Sequence, residues 1–310
     1  MTATASSHEW LKLSLSTEDL MEEVEYNQRI DKMKRWSSEL TSRLTPILGN
    51  SEKILYHYTN SSGLLGVINT GQFWATHVRR LNDKTEYNLG LSLVGSLARE
   101  YPSRLPNLVA EALKSLFSRD TYISCFSGDR DLLSQWRAYS GTNVGYCIGL
   151  KVCKMATTDE RMPLLEKVIY DRNTARKVVS QLIFEADEFL HTEEFGEIEA
   201  GYVIGTLSGL LNVAACSIKH HTFSEENEYR FIHQSGSTNL ERQVKYRNGQ
   251  YGLTPYVEID FLENGKLPIT SITIGPCEDT ESERRILEHL LFNKGYNNVD
   301  IFHSEIPLRT

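Results

Sequence analysis

Ile54-Leu55-Tyr56-His57-Tyr58-Thr59, followed by Asn60-Ser61-Ser62, Leu64, Leu65, Ile68 and Gly71, is the stretch on which the fold turns. Its first half is aromatic and aliphatic, which suits a short strand over Ile54 to Tyr58. Asn60-Ser61-Ser62 supplies side-chain oxygens that cap a helix, and Gly71 is a usual helix stop. Gln72 to Thr76 then reads as a second short strand. Alternate residues of a strand share a face, so His57 and Thr59 point one way and Tyr56 and Tyr58 the other.

Working outward, the chain before this stretch is helical. Ser16 and Asp19 make a weak cap, Leu20, Val24 and Ile30 recur at helical spacing, and a second helix over Met33 to Leu48 stops at Gly49-Asn50. Residues 1–50 are expected to form a helical N-terminal extension packed on a single domain, 51–310. Downstream, helices are expected from after Leu81-Asn82-Asp83 to Glu100, over Asn107 to Ser118, Arg172 to His191 and Phe195 to Lys219. Strands are expected at Thr121 to Ser127, Gly145 to Lys151, Glu228 to His233, Gln243 to Tyr246, Tyr251 to Phe261, Ile269 to Ile274 and Val299 to Phe302, with a helix over Ser282 to Asn293. Helices early and strands late imply an α+β fold, an antiparallel or mixed sheet with segregated helices.

Composition narrows the function classes. A net charge of −8 and a pI near 5.7 argue against a chain-wide nucleic-acid footprint. Arg79-Arg80 with Lys84, and Arg242 with Lys245 and Arg247, remain local basic strips or plain solvated faces. The five cysteines, Cys125, Cys147, Cys153, Cys216 and Cys277, are scattered and form no C-x-x-C pair, which fits a reducing cytoplasm and no zinc site. No signal peptide is visible, and the apolar region Ala200 to Ile218 is interrupted by polar residues, so it reads as a buried helix and no membrane partner is expected. Dinucleotide-binding, P-loop, nucleophile-elbow and zincin motifs are all absent.

Three constellations carry possible chemistry. His57 beside Thr59 is able to grip a ribose hydroxyl and an amide, or is a core histidine bonded to a carbonyl. Ser124-Cys125-Phe126-Ser127 ends a strand, and Trp136 and Tyr139 lie three apart on a short helix, where they either sandwich a planar ring or belong to the core. In Glu225-Glu226-Asn227-Glu228-Tyr229-Arg230, a strand opening at Glu228 puts Glu226, Glu228 and Arg230 on one face. An unpaired carboxylate there would stabilise developing positive charge, and the plain alternative is an exposed acidic turn. His220-His221 lacks companions at ligand spacing, so no metal site is expected.

In order along the chain, Leu55-Tyr56-His57-Tyr58-Thr59, Leu81-Asn82-Asp83 with Glu86, Ser124-Cys125-Phe126-Ser127, Trp136 with Tyr139, Glu226-Asn227-Glu228-Tyr229-Arg230, Ile274-Gly275-Pro276 and Ser304-Glu305-Ile306-Pro307-Leu308-Arg309 resemble the bacterial family catalogued as domain of unknown function 2971. That name implies no activity. Tyr56-His57-Tyr58-Thr59 with the helix and strand after it also looks like the first NAD-binding motif of diphtheria-toxin-like and poly(ADP-ribose)-polymerase-like transferases, with Tyr58 where those toxins carry Gly. This resemblance implies an ADP-ribosyltransferase-like core that uses NAD as substrate. His57, Tyr58, Thr59, Ser124, Ser127, Trp136, Tyr139 and Arg79 would hold NAD, Arg79 or Arg80 lying near the pyrophosphate. Glu228 would be catalytic and Glu226 its partner in the paired-glutamate motif. It further implies transfer to a protein or nucleic-acid acceptor, or NAD glycohydrolysis, in a toxin or phage-defence setting with a regulatory or antitoxin partner. A non-catalytic nucleotide- or protein-binding sensor, and a metal-dependent hydrolase using Asp83, Glu86 and Glu228, are the competing readings.

Overall fold

The computed structural model describes residues 17–44, 53–81, 84–102, 106–116, 119–141, 144–152, 164–191, 196–234, 244–249, 252–260 and 266–307. Gly49-Asn50, Asn82-Asp83, Cys153, Arg242 and Leu308-Arg309 lie outside them. The described residues begin with α1 (Thr17–Leu44), one continuous helix where the sequence suggested two. Next come β1 (Lys53–Asn60), α2 (Ser61–Thr70), β2 (Gln72–His77), a 3-10 turn (Val78–Arg80), α3 (Lys84–Glu100) and α4 (Pro106–Leu116). The middle holds β3 (Thr121–Ser127), α5 (Leu133–Tyr139), β4 (Gly145–Val152), β5 (Leu164–Lys167), α6 (Arg172–His191) and α7 (Glu197–Ser217). A 3-10 turn (His221–Glu226) leads to β6 (Glu228–Gln234), β7 (Lys245–Gly249), β8 (Gly252–Asp260), β9 (Ile269–Ile274), α8 (Thr280–Asn293) and β10 (Asp300–His303). The short strand β5 is the one described strand that the sequence reading did not anticipate.

Local chemistry sets several boundaries. Asn60 Oδ1 accepts from Gly63 N at 2.9 Å to start α2, and Gly71, at φ 68°, ends it in a left-handed turn that favours glycine. Asp171 accepts from Thr174 N at 2.7 Å ahead of α6, and Asp279 from Ser282 N at 3.0 Å ahead of α8.

The architecture is α+β around one mixed sheet of ten strands among the described residues. Nearly all pairings are antiparallel; β9 and β10 run parallel. Strand β3 is the hub. One of its edges pairs with β6 along its whole length, from Thr121↔Gln234 to Ser127↔Glu228. The other edge is shared: β1 meets it at Tyr56↔Ser127, and β2 at Thr76↔Ile123 and His77↔Tyr122. The sheet therefore forks, one branch running β1-β4-β9-β10 and the other β2-β8-β7.

The two faces carry different layers. On one, α2 and α8 cover Leu55, Phe73, Phe126, Phe231, Ile148 and Ile272. On the other, α7 lies over the hub, with Val213 and Cys216 against Ile123 and Ile232. α3, α4, α6 and α1 gather round α7 in a second core containing Val94, Leu97, Val179, Leu182, Leu207 and Leu211. Arg29 of α1 pairs with Glu199 at 2.9 Å and Trp36 stacks on Phe189 at 4.6 Å, so α1 packs on this layer. Residues 199–217 are long and apolar enough to cross a membrane by composition, yet Val203, Leu207, Leu211 and Ala215 are buried among the neighbouring helices. Gly90 makes one of these contacts possible: a Cβ there would stand 2.0 Å from the Ala215 carbonyl oxygen. Cys125, Cys147, Cys216 and Cys277 are free thiols.

Candidate functional site

Opposed residues of antiparallel strands project from the same face. Tyr56, Ser127 and Glu228 are opposed in sequence across β1, β3 and β6, so their side chains leave the face covered by α7. His57 is adjacent to Tyr56 and projects the other way. There its ring meets Phe73 and Phe126, each at 5.2 Å between centroids, in the crotch of the fork. Its Nδ1 lies 3.0 Å from the Cys125 carbonyl oxygen, and burial holds its pKa below the usual histidine value. The expectation that His57 and Glu228 surround one dinucleotide is therefore corrected: the pleat sends them through opposite faces of the sheet. Thr59 shares the face of His57, its hydroxyl lying where a side chain on Gly63 would stand. Ser124 is also on that face, buried, with a hydroxyl that makes no hydrogen bond. Ser124 is thus buried at the fork, and His57 and Thr59 are half-buried on the same face.

Around Glu228 the structure assembles a charged cluster. Lys219, just beyond the end of α7, places its Nζ 3.0 Å from Glu86 Oε1, 2.7 Å from Glu226 Oε2 and 3.1 Å from Glu228 Oε2. Arg230 donates from Nε to Glu228 Oε1 at 2.7 Å and from Nη2 to Glu228 Oε2 at 3.0 Å and Glu86 Oε2 at 2.8 Å. Its Nη1 donates to the Cys216 carbonyl at 2.7 Å. Charge-assisted bonds at these lengths are the strong kind. Tyr170 Oη accepts from Glu228 N at 3.0 Å, and Val168 N donates to the Glu228 carbonyl at 2.9 Å.

The titration behaviour follows from this geometry. Burial works against an ionised Glu228, but Arg230 and Lys219 outweigh it and hold the carboxyl at about 2. Burial also opposes the Lys219 charge, and Glu228, Glu226 and Glu86 together push its pKa up. Glu226 shifts the other way from a simple ion-pair partner: burial, with Glu228 and Glu86 adding to it, raises its pKa despite the Lys219 contact. Three carboxylates share one ammonium, and the third is the least compensated. Of the six carboxylate oxygens in the cluster, Glu226 Oε1 is the one without a cationic donor, and this side chain is also the most exposed of the three, at 18%.

The expectation of an unpaired Glu228 is thus corrected as well. Its carboxylate is saturated, and the group with free acceptor capacity is Glu226. Lys219 and Tyr170 were not anticipated, and Glu86 was named only within a motif and in the competing metal-dependent hydrolase reading. A lone lysine closing an apolar helix is the signal that Lys219 offered.

The backbone of Glu226 is held as firmly as its side chain. Ser127 Oγ donates to the Glu226 carbonyl at 2.8 Å and accepts from Asp129 N at 3.0 Å. Asn227 sits in the left-handed region, φ 43°, which asparagine tolerates. Its carbonyl accepts from Gly128 N at 2.8 Å and its Nδ2 donates to Asp129 Oδ2 at 3.2 Å. The loop 129–132 is braced in turn. Tyr58 Oη donates to the Asp129 carbonyl at 2.8 Å and accepts from Leu132 N at 3.0 Å. Asp131 accepts from Trp136 Nε1 at 2.6 Å, Ser304 Oγ at 2.6 Å and Glu305 N at 2.8 Å. Tyr58, Ser127, Trp136, Asn227 and Ser304, drawn from five of the motifs read in the sequence, therefore build one bracket that presents Glu226.

Trp136 is buried edge-on to Tyr58 at 4.8 Å and is core, whereas Tyr139 is 38% exposed. Burial above all, with the negative charges of Glu228 and Glu226 adding to it against Lys219, raises the pKa of the Tyr139 phenol. Phe223, 39% exposed, has its ring 4.9 Å from Lys219 Nζ. The Cys125 thiol is pushed well up by burial and by Glu228, which removes it as a thiolate nucleophile. Arg79 lies elsewhere, in a groove with Tyr87, Asn88 and Arg99. Among the described residues no group of three or more His, Cys, Asp or Glu side chains is arranged to hold a metal ion. In the cluster, the ammonium of Lys219 occupies the point on which the carboxylates converge.

Residues 135–231 match the model of a family described as a protein of unknown function (DUF2971). The match spans Trp136, Tyr139, Lys219, Glu226, Glu228 and Arg230 and leaves the β1 segment outside. No curated protein and no solved structure matches the chain.

Proposed function

We propose that the chain is a glycosyl-transfer or hydrolysis enzyme that works from the β6 end of the sheet, with Glu226 as general base and NAD as substrate. The observation that carries the reading is the pair of glutamates whose environments push them apart. Glu228 is ionised and fully engaged by Arg230 and Lys219, while Glu226 has a raised pKa, is 18% exposed and keeps one oxygen without a cationic donor. A carboxylate whose pKa is raised, beside one held ionised, is how paired carboxylates divide acid and base roles. Tyr139 and Phe223 supply aromatic surface for the planar nicotinamide ring at the rim. NAD as the substrate rests on the likeness of the β1-α2-β2 segment to NAD-binding transferases, with His57 now in a framework role.

In this reading the C–N glycosidic bond of NAD breaks, nicotinamide departs with the bonding electrons, and a ribosyl cation forms. Glu226 takes the proton from water or from a macromolecular hydroxyl or amine as that group attacks the anomeric carbon. Lys219, Ser127 and Asn227 are positioning residues, and Glu228 with Arg230 fixes Lys219. Toxin or defence use would follow from NAD consumption.

The test is nicotinamide release from NAD, with and without cell lysate, by the wild type, Glu226→Gln and Glu228→Gln. Loss of a general base costs on the order of 100-fold or more, and Glu226→Gln is expected to show that loss while keeping the wild-type melting temperature within a few degrees. Equal release by wild type and Glu226→Gln removes Glu226 from the reaction. A second reading, a non-catalytic nucleotide- or protein-binding module, is favoured by the saturation of Glu228; absence of turnover by the wild type with lysate present selects it.

A further inference from the structure

On the face of the sheet opposite the Glu228 cluster, Tyr229 of β6 brings two lysines together. It is opposed in register to Phe126 on one side and to Lys167, the last residue of β5, on the other. Lys167 Nζ lies 5.6 Å from the centroid of the Tyr229 ring. Lys53, the first residue of β1, alternates with Leu55 and His57 onto this same face. Its Nζ lies 4.4 Å from the same centroid and donates to the Tyr229 hydroxyl. Three strands distant in sequence thus place two ammonium groups around one phenol, close enough for a single small ligand to meet both.

This arrangement lacks negative charge. The chain carries eight more acidic than basic residues, yet among the described residues neither Lys53 nor Lys167 has a carboxylate partner. On the other face, by contrast, Lys219 is held by three glutamates. An aromatic ring attracts an ammonium through its quadrupole but has no net charge, so the repulsion between the two cations remains. Lys53 is also half-buried, and a charge withdrawn from water is ordinarily paired. The phenol adds a third donor. Tyr229 is 2% exposed, its oxygen accepts from Lys53, and its own hydrogen has no acceptor among the described residues. Two ammonium groups and a hydroxyl, all with donors to spare, are the complement of a dianion with several oxygens. A phosphate group has that charge and that number of acceptors, and lysine binds it as a point charge. A carboxylate, with one charge, would leave one ammonium uncompensated.

We infer that Lys53, Lys167 and Tyr229 form a binding site for a phosphate group. The site lies on the far face from the glutamate cluster and does not depend on the reaction proposed there. Calorimetric titration of the full chain with inorganic phosphate, glycerol 3-phosphate and acetate tests it. Phosphate is expected to bind at least tenfold tighter than acetate. Lys53→Met and Lys167→Met should each weaken phosphate at least fivefold, and Tyr229→Phe, which keeps the ring, at least twofold. Lys177→Met on α6 should leave it unchanged. Glycerol 3-phosphate separates two sources of the ligand: binding at least as tight as that of phosphate assigns the site to an esterified phosphate, and weaker binding assigns it to the free anion. Undetectable binding of both phosphates at millimolar concentrations, equal affinity for phosphate and acetate, or an equal loss in Lys177→Met would each overturn the inference. A circular-dichroism melt of each variant separates lost binding from lost fold.

Discussion

Replacing Lys219 by methionine removes the ammonium on which Glu86, Glu226 and Glu228 converge while keeping an unbranched side chain of similar length. In the wild type three carboxylates face Lys219 and Arg230, an excess of one negative charge. The variant leaves three carboxylates against Arg230 alone. Lys219 and Glu228 are nearly inaccessible, at 8% and 7%, so water cannot replace the lost contacts without opening the junction between α7 and β6. Removing one partner of a buried ion pair costs about 3–5 kcal/mol, because the remaining charge is left uncompensated. At roughly 2–3 °C per kcal/mol for a chain of this size, the melting temperature should fall by about 6–15 °C. Urea unfolding followed by tryptophan fluorescence measures the loss, and the double variant Lys219→Met/Glu226→Gln measures its origin. Withdrawing the least compensated carboxylate should recover at least ~1 kcal/mol, a coupling typical of residues in one network. A single-variant loss below ~1 kcal/mol would refute the reasoning, since that is the behaviour of an exposed ion pair. So would a double variant less stable than the single.

Glu166 on β5 is buried and its pKa is pushed up to about 8 by burial. Its folded value exceeds the ordinary one of 4.5, so the stability it confers is complete below pH 4.5 and is lost as pH rises towards 8. Glu166→Gln should therefore match the wild type near pH 4 and exceed it at pH 8, by at most roughly 4 kcal/mol at about 1.4 kcal/mol per unit; equal melting temperatures at pH 8 would show that the carboxyl is hydrated. Gly90→Ala drives a methyl group into the Ala215 carbonyl and should cost about 1–3 kcal/mol by forcing α3 and α7 apart. Gly66→Ala on α2, where a Cβ meets nothing within 4 Å, should be neutral or stabilising in the same denaturation assay.

The α+β class and most element boundaries were legible in the order of residues because they rest on local chemistry. Asn60 and Gly71 bracket α2, Arg172 and His191 bound α6, and the alternation of Tyr229, Phe231 and Arg230 marks β6; each needs only the residues beside it. Period-two alternation likewise settled that Tyr56 and His57 leave opposite faces of β1 and that Glu228 and Arg230 share one of β6. Which face of β1 continues into which face of β6 is a matter of strand pairing through β3, and registers such as Tyr56↔Ser127 and Ser127↔Glu228 are contacts between segments far apart in the chain. A shift of one residue in either would have reunited His57 with Glu228. Lys219 shows the same division. Its helix was visible as an apolar run, but an ammonium at the end of that run acquires its role only when α3 brings Glu86 and β6 brings Glu228 within 3.1 Å. Charge pairing acts through space and depends on distance and burial, and neither is encoded in neighbouring residues.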